Sequence, residues 1–386
     1  MQAKITQTQV DALVQAGLSA LQQNKPAEAC QAFDKLIEQN IANASIWLGK
    51  AYACRDLKDF AAMLEALDKS IELEPRNPRA FIIKATYFDE LGDLTAASAF
   101  YRKALSVAPP PAQTPADLKP ELERSKNRCD ALTEEFSDHL ARQMMPLIAD
   151  AGDGASRITH SMDLITGKRQ RYVSQPQNYY FPELPNIQFA DPAAFPWVEE
   201  LEAATDDIRQ ELKAILKRPE AFNPYVTVDD TRPQSDPHGM LNNNDWSAFY
   251  LWQDGEIVAE NAALCPKTVA ALSSVPSAHI QGRSPNILFS ALKPKSKIPP
   301  HFGQINTRFI CHLPLIVPDG CGFRVGNETR EWQEGKVWIF DDTIEHEAWN
   351  DSDEPRYILL FEVWRPEISD LEKKLVTNLY ETIDSF

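Results

Sequence analysis

Along the first hundred residues the apolar positions recur at helical spacing. Phe60, Met63, Leu64 and Leu67 fall on one face of a helix. The pattern then repeats. Pro75 and Pro109 lie 34 residues apart, and registers opened at Ala44 and Pro78 align Trp47 with Phe81, Ala51 with Ala85, and Leu67 with Tyr101. A weaker copy opens at Val10, with Gly17, Ala29 and Phe33 in the matching slots. Asn77-Pro78 marks a helix start with proline in the first turn, and Leu91-Gly92-Asp93 marks a turn between helices. The spacing predicts three helix pairs over residues 8–109. Small residues at fixed slots let antiparallel helices approach, and the large ones fill the space between neighbouring pairs.

A period of this length in this pattern resembles the tetratricopeptide repeat, whose stacked pairs form a solenoid with a groove for a peptide or partner protein. Ala108-Pro109-Pro110-Pro111-Ala112 ends the array, and Thr114-Pro115 and Lys119-Pro120 continue a stiff, proline-rich connection. Leu122 to Met145 reads as helix again, with Leu132, Phe136, Leu140 and Met144 on one face, either capping the solenoid or bridging onward.

After about residue 150 the periodicity switches, and Gly, Pro, Asn and Asp punctuate short apolar runs. Strands are predicted at Trp246–Trp252, Asn286–Ala291, Thr307–Leu315, Gly322–Val325, Lys336–Phe340 and Tyr357–Val363. Helices are predicted at Ala193–Lys217, Cys265–Ser273 and Ser369–Ile383. Short strands with turns between them predict a sandwich or barrel. Pro314 and Pro318 place the run from Cys311 at a sheet edge or a strand end. The expected organisation is a repeat domain over 1–109, a linker and bridging helix over 110–150, and a β-rich domain over 151–386.

Composition narrows the function. The chain has 386 residues and a formal net charge of −17, which argues against nucleic-acid binding, where phosphate contacts need positive charge. No apolar run approaches the roughly 18–20 residues that span a bilayer. The N-terminus has no apolar segment of the signal-peptide kind, and the six cysteines form no C-x-x-C pair, so a reduced, cytoplasmic protein without a zinc ribbon is expected.

The β-rich half holds the candidate chemistry. His301 lies in Pro299-Pro300-His301-Phe302-Gly303, read as a strand start after a rigid turn, and His346 lies in Asp341-Asp342-Thr343-Ile344-Glu345-His346. Arg356 follows ten residues after His346. Two neutral imidazoles suit Fe(II), Zn(II) or Cu(II), and a guanidinium at that distance suits a bidentate carboxylate clamp. The set matches the pattern of Fe(II)- and 2-oxoglutarate-dependent dioxygenases. Their first motif is His-x-Asp, but Gly303 stands in the third place here. Either this is not a metal site or it is a two-histidine variant. His139, His160, His238 and His279 are expected to be structural or superficial, and the loops at Asp229-Asp230 and Asn242–Asp245 could line a substrate channel.

Longer words then become specific. Phe289-Ser290, Pro300-His301-Phe302-Gly303, Arg308, His312-Leu313, Asn327-Glu328-Thr329, Trp332, Glu334-Gly335-Lys336, Phe340-Asp341-Asp342, His346-Glu347 and Val363-Trp364 with Pro366 resemble the aspartyl/asparaginyl β-hydroxylase family. Trp246–Trp252 and Cys265-Pro266-Lys267-Thr268 extend the similarity, which covers about residues 220–370. The resemblance implies an α+β multidomain chain: an all-α tetratricopeptide solenoid, then a double-stranded β-helix (jelly-roll, cupin-like) domain with flanking helices.

It also implies roles. His301 and His346 would ligate Fe(II), with Gly303 conforming to a family that lacks the carboxylate ligand. Arg356 and Ser290 would hold the distal carboxylate of 2-oxoglutarate, and His312 would contact its metal-binding end. Asp342 would orient a ligand or a water, and Arg308, sharing a strand face with His312, would meet an acidic substrate. Apolar neighbours Phe289, Leu292, Ile310, Phe340 and Trp349 would shield the chemistry.

The activity implied is hydroxylation of an unactivated carbon with O2 as co-substrate and succinate and CO2 as co-products. The target would be the β-carbon of an Asp- or Asn-type residue in a protein or peptide held with help from the solenoid. One departure stands against an aspartyl target: Ile310 occupies the place of an arginine two residues before His312. Three other readings stand beside this one: a two-histidine iron halogenase, a hydroxylase of a small molecule, and a non-catalytic tetratricopeptide adaptor with a degenerate jelly roll.

Overall fold

The computed structural model describes residues 5–228, 239–280 and 282–385. The chain divides into two compact units, residues 1–168 and 169–386.

The first unit is helical. α1 (Gln7–Gln22) and α2 (Pro26–Glu38), α3 (Ala44–Asp56) and α4 (Phe60–Leu73), and α5 (Pro78–Leu91) and α6 (Leu94–Val107) form three pairs. Their starts are written locally. Asn77 caps α5 by accepting from the Arg79 N–H with Pro78 in the first turn, and Asp93 caps α6 by accepting from the Ala96 N–H. The small slots have a clear steric cause. A Cβ on Gly17 or Gly49 would come within 2.7 Å and 2.6 Å of the Phe33 ring, which is 1% exposed between them. Phe33 therefore bolts the first pair to the second.

α7 (Lys119–Ala151) and α8 (Ser156–Ile165) complete this unit. The first half of α7 packs on α6 through Cys129 and Leu132, which join Ala85, Ala97 and Tyr101 in one cluster. The expected apolar face does not run the length of the helix: Phe136 is exposed, whereas Ser125 and Ser137 are buried. α8 belongs with α7, so the division falls after Lys168 and not at residue 150.

Among its described residues the second unit carries twelve strands: β1 (Phe189–Ala190), β2 (Asn223–Pro224), β3 (Trp246–Gln253), β4 (Glu256–Ile257), β5 (Ile287–Leu292), β6 (Ser296–His301), β7 (Arg308–Ile316), β8 (Cys321–Val325), β9 (Glu328–Glu331), β10 (Trp338–Phe340), β11 (His346–Asn350) and β12 (Arg356–Trp364). Its helices are α9 (Val198–Ala203), α10 (Thr205–Ile215), α11 (Ala259–Ala262), α12 (Pro266–Ala271) and α13 (Asp370–Asp384). The large sheet runs β1-β10-β7-β12-β5-β3-β2, with β4 on β3, and the small sheet runs β6-β11-β8-β9. All named pairings are antiparallel, giving the expected jelly-roll pair of sheets.

Period-two alternation assigns each strand face. Phe309, Cys311, Leu313 and Leu315 of β7 and Leu359, Phe361 and Val363 of β12 pack with Leu201, Ile208 and Leu212 of the helices. Each such apolar side chain contributes about 1.5–3 kcal/mol on burial. The intervening residues face the small sheet, where Ile310, Leu360, Phe323, Phe340 and Ala348 form a second core.

β7 is central in its sheet and not at an edge. Pro314 is tolerated because the register with β12 shifts between Tyr357 and Ile358, so no regular ladder bond is demanded of it. The expected helix over 193–217 is two helices, α9 and α10. The sequence pattern missed the two-residue strands β1, β2 and β4, and also β6, β9 and β11, which are short and mixed in polarity.

Candidate active site

Both candidate histidines lie on strands that sequence periodicity overlooked. His301 ends β6, instead of starting a strand, and His346 opens β11. The antiparallel pairing sets the two residues opposite each other, so their ring centroids stand 4.0 Å apart. His301 Nδ1 lies 2.7 Å from the Pro299 carbonyl, and His346 Nδ1 lies 3.1 Å from the Ile344 carbonyl. A carbonyl only accepts, so each Nδ1 carries the proton and the lone pair falls on Nε2, as a metal-binding imidazole requires. Burial, with His301 adjoining, holds His346 well below the usual imidazole range. Among the described residues no group of three or more His, Cys, Asp and Glu side chains is placed to hold a metal. Among the described residues the donors brought together here are the two imidazoles.

The pair opens on a cavity of ≈ 690 Å³ between the sheets, lined also by Ser290, Arg308, Ile310, His312, Asp342 and Arg356. Arg356 is 2% exposed and has no acidic partner among the described residues. Its Nη1 is buried without a hydrogen bond, and burial pushes its pKa down to about 10. Its guanidinium lies 5.5 Å from the Trp332 ring centre. His312, stacked on Trp332 at 5.6 Å and edge-on to Phe340, is buried with Nδ1 unpartnered, and burial followed by Arg356 keeps it well below the usual range. Ser290 Oγ accepts from Trp246 Nε1 at 3.1 Å, which leaves the serine proton to donate elsewhere. A buried cation and two polar side chains with donor capacity to spare have the chemistry that a small carboxylate requires of a site.

Arg308 lies elsewhere in the same cavity and is not open to an acidic substrate. It is buried, with Nη1 3.1 Å from Asp342 Oδ2 and Nε 3.4 Å from Glu362 Oε2. Burial opposes its charge, but the two carboxylates outweigh that and raise its pKa. Asp342 fills the space beside Gly303, where a Cβ would meet its Oδ2 at 2.0 Å. Asp341, one residue earlier, is held by Arg365 Nη1 at 2.8 Å.

The shielding residues divide. Ile310 and Phe340 line the cavity, but Phe289 joins the helix-facing core and Trp349 lies over Gly322 on the side of β11 away from His346. Strand alternation excludes both. Leu292 is buried in the inter-sheet core without lining the cavity. Tyr225, Trp246, Trp332 and Glu362 are the residues that sequence reasoning left without a role. The even-numbered series Arg356, Ile358, Leu360, Glu362 carried the signal for Glu362. His139 and His279 are exposed and His160 is half-buried. His238 and Asp229-Asp230 lie outside the described residues, and the Asn242–Asp245 loop does not line the cavity, although Met240 does.

The fold is a jelly roll whose cavity holds two facing imidazoles and a buried guanidinium. Comparison with known proteins agrees. Residues 202–366 match the aspartyl/asparaginyl β-hydroxylase family, and residues 14–69 and 78–111 match tetratricopeptide repeats. The β-rich domain is thus similar to the aspartyl/asparaginyl β-hydroxylase family, and the helical unit ahead of it is similar to tetratricopeptide repeats.

The mouse aspartyl/asparaginyl β-hydroxylase is 40% identical over 136 residues, covering 35% of this chain and 18% of that protein. An ornithine lipid ester-linked acyl 2-hydroxylase of Rhizobium tropici is 33% identical over 192 residues, 49% of this chain and 64% of that one. Human aspartate β-hydroxylase domain-containing protein 2 is 30% identical over 212 residues, 54% of this chain and 55% of that one. The chain thus spans less than two thirds of each of these relatives. Among solved structures, PcrH bound to the chaperone-binding region of PopD is similar at 21% identity and a TM-score of 0.32, over 35% of this chain and 98% of that one.

Proposed function

We propose that this protein is an Fe(II)- and 2-oxoglutarate-dependent dioxygenase that hydroxylates an unactivated carbon. One observation carries the reading: Arg356, a buried guanidinium without an acidic partner among the described residues, stands in the same cavity as a facing pair of imidazoles.

The residues present fit the groups implied. His301 and His346 would hold Fe(II) through Nε2. Arg356 and the Ser290 hydroxyl would take the distal carboxylate of 2-oxoglutarate, and His312 Nδ1 lacks the partner that the other end of that molecule would supply. Iron with 2-oxoglutarate and O2 supplies oxidising power, leaving succinate and CO2. The chain supplies position and dryness: Ile298, Ile310, Phe323, Ile358 and Leu360 keep the cavity wall apolar. The Asp342 carboxylate fills the room beside Gly303 that a chloride ligand would need, which favours hydroxylation over halogenation.

For the target, the proposal is the β-carbon of an Asp- or Asn-type residue in a protein or peptide. Arg308 is committed to two carboxylates and Ile310 is apolar, so a neutral side chain suits the cavity better than an acidic one. A groove of ≈ 710 Å³ in the helical unit, lined by Tyr52, Phe60, Tyr87 and Arg124 among others, is the proposed seat for the rest of that partner. The apolar wall also favours a second reading, hydroxylation of an acyl chain, as the name of the Rhizobium relative describes for that protein.

The test is anaerobic addition of Fe(II) and 2-oxoglutarate, watching for a visible metal-to-ligand charge-transfer band, with His301→Ala and Arg356→Ala as controls. A band lost in both controls supports the site. A folded wild type that gives no band refutes it and turns attention to the adaptor reading. Succinate release stimulated by asparaginyl peptides, but not by acyl lipids in detergent, would separate the two targets.

A further inference from the structure

The structure assigns Glu362 and Arg308 a positioning role: together they pin the Asp342 carboxylate beside Gly303, and so clamp the two segments that end on His301 and His346. The metal half of this inference rests on the proposed function; the packing half does not.

Gly303 lies two residues after His301, and Asp342 lies four before His346. The Gly303 N–H donates to the Asp342 carbonyl at 2.6 Å, which ties the two main chains. The side chain of Asp342 then turns back over Gly303. A Cβ there would stand 2.0 Å from Oδ2, 2.2 Å from Cγ and 2.7 Å from Oδ1. A carboxylate at the end of a short side chain would ordinarily swing aside. Here Arg308 Nη1 holds Oδ2 at 3.1 Å.

Arg308 is fixed in turn. Its Nε faces Glu362 Oε2 at 3.4 Å, and Glu362, 3% exposed, accepts from the Ser284 hydroxyl. The strut thus runs from the loop before β5, through β12 and β7, to the turn before β11. All its members are buried, where an ion pair that loses one partner leaves an uncompensated charge. Its far end presents Asp342 Oδ1, which is buried and unpartnered on the cavity wall. Neither Glu362 nor Arg308 touches an imidazole in any contact described, so both act through Asp342.

A mutant cycle tests this in the full-length protein. Gly303→Ala should lower the thermal midpoint in the wild type. The same change should cost less than half as much in Asp342→Gly, where the obstacle is gone, and also less in Glu362→Gln, where the carboxylate can yield. Equal cost in all three backgrounds would overturn the strut.

The second readout is Co(II) binding followed by its visible absorption. Glu362→Gln should weaken Co(II) roughly tenfold and alter the spectrum, as loss of an outer partner does at other metal sites. It should add nothing in an Asp342→Asn background. Unchanged affinity and spectrum in Glu362→Gln, with Asp342→Asn altered, would overturn the role. If wild type binds no Co(II), the two-histidine reading fails, while the Gly303 cycle still decides the strut. If Glu362→Gln does not fold, Ser284→Ala, which removes only the donor to Glu362, takes its place in both arms.

Discussion

Replacing Arg356 with Met should make the free protein more stable while abolishing its response to 2-oxoglutarate. Burial lowers the pKa of this guanidinium from the usual arginine range to about 10. A unit of pKa is about 1.4 kcal/mol, so holding the cation costs about 3 kcal/mol. The sign follows from linkage. The folded state binds the proton less tightly than the unfolded chain, so the penalty is present in full below about pH 10 and is relieved only as pH rises above that.

Methionine replaces the unbranched stem and carries no charge, so most of that penalty disappears. Against it stands the contact of the guanidinium with Trp332, worth about 0.5–2 kcal/mol. The expected net gain is about 1–2.5 kcal/mol, or about 2–4 °C in Tm for each kcal/mol in a unit of this size. Thermal unfolding would be measured with and without 2-oxoglutarate, with oxygen excluded. Wild type should gain stability with ligand by mass action, and Arg356→Met should not. A variant that loses more than about 1 kcal/mol when free, yet is still stabilised by 2-oxoglutarate, would show Arg356 to be a structural cation and refute the anchor.

Other outcomes follow from the same structure. Phe33→Ala should destabilise the helical unit by about 3–5 kcal/mol, seen as an earlier loss of helical circular dichroism, without altering Co(II) binding. Stability should fall as pH drops below about 6.5, the ordinary imidazole value, because the unfolded chain takes protons that buried His312 and His346 refuse. Urea unfolding at pH 5 and pH 7 would show this, and His312→Phe should flatten the slope. Ile310→Arg should cost stability by burying a second cation near Arg308, and it should raise succinate release with aspartyl over asparaginyl peptides. No change in that ratio would refute the proposed preference for a neutral target. Removing residues 1–168 should leave a folded β unit that still binds Co(II), while turnover of a true protein substrate falls far more than uncoupled decay of 2-oxoglutarate.

Much of this protein was written locally. The 34-residue period, the caps at Asn77 and Asp93, and the small slots at Gly17 and Gly49 fix helix pairs because each depends on near neighbours or on one repeating contact. The alternation along β7 and β12 likewise fixes which residues face each core, since a strand has only two faces. The words around His301, His346 and Arg356 marked the candidate site from residue types alone.

Tertiary structure decided what those residues can do. No local pattern revealed β6 and β11, because Ser296–His301 and His346–Asn350 are strands only by pairing with segments distant in sequence, and the pairing of β6 with β11 brings the imidazoles together. Spacing alone offered Arg308 to a substrate, but Asp342 and Glu362, distant in sequence, claim its charge. Gly303 read as a missing ligand, and packing shows its place taken by a carboxylate from another turn. Burial and charge pairing are sums over segments far apart in the chain, so they exist only once the sheets have closed.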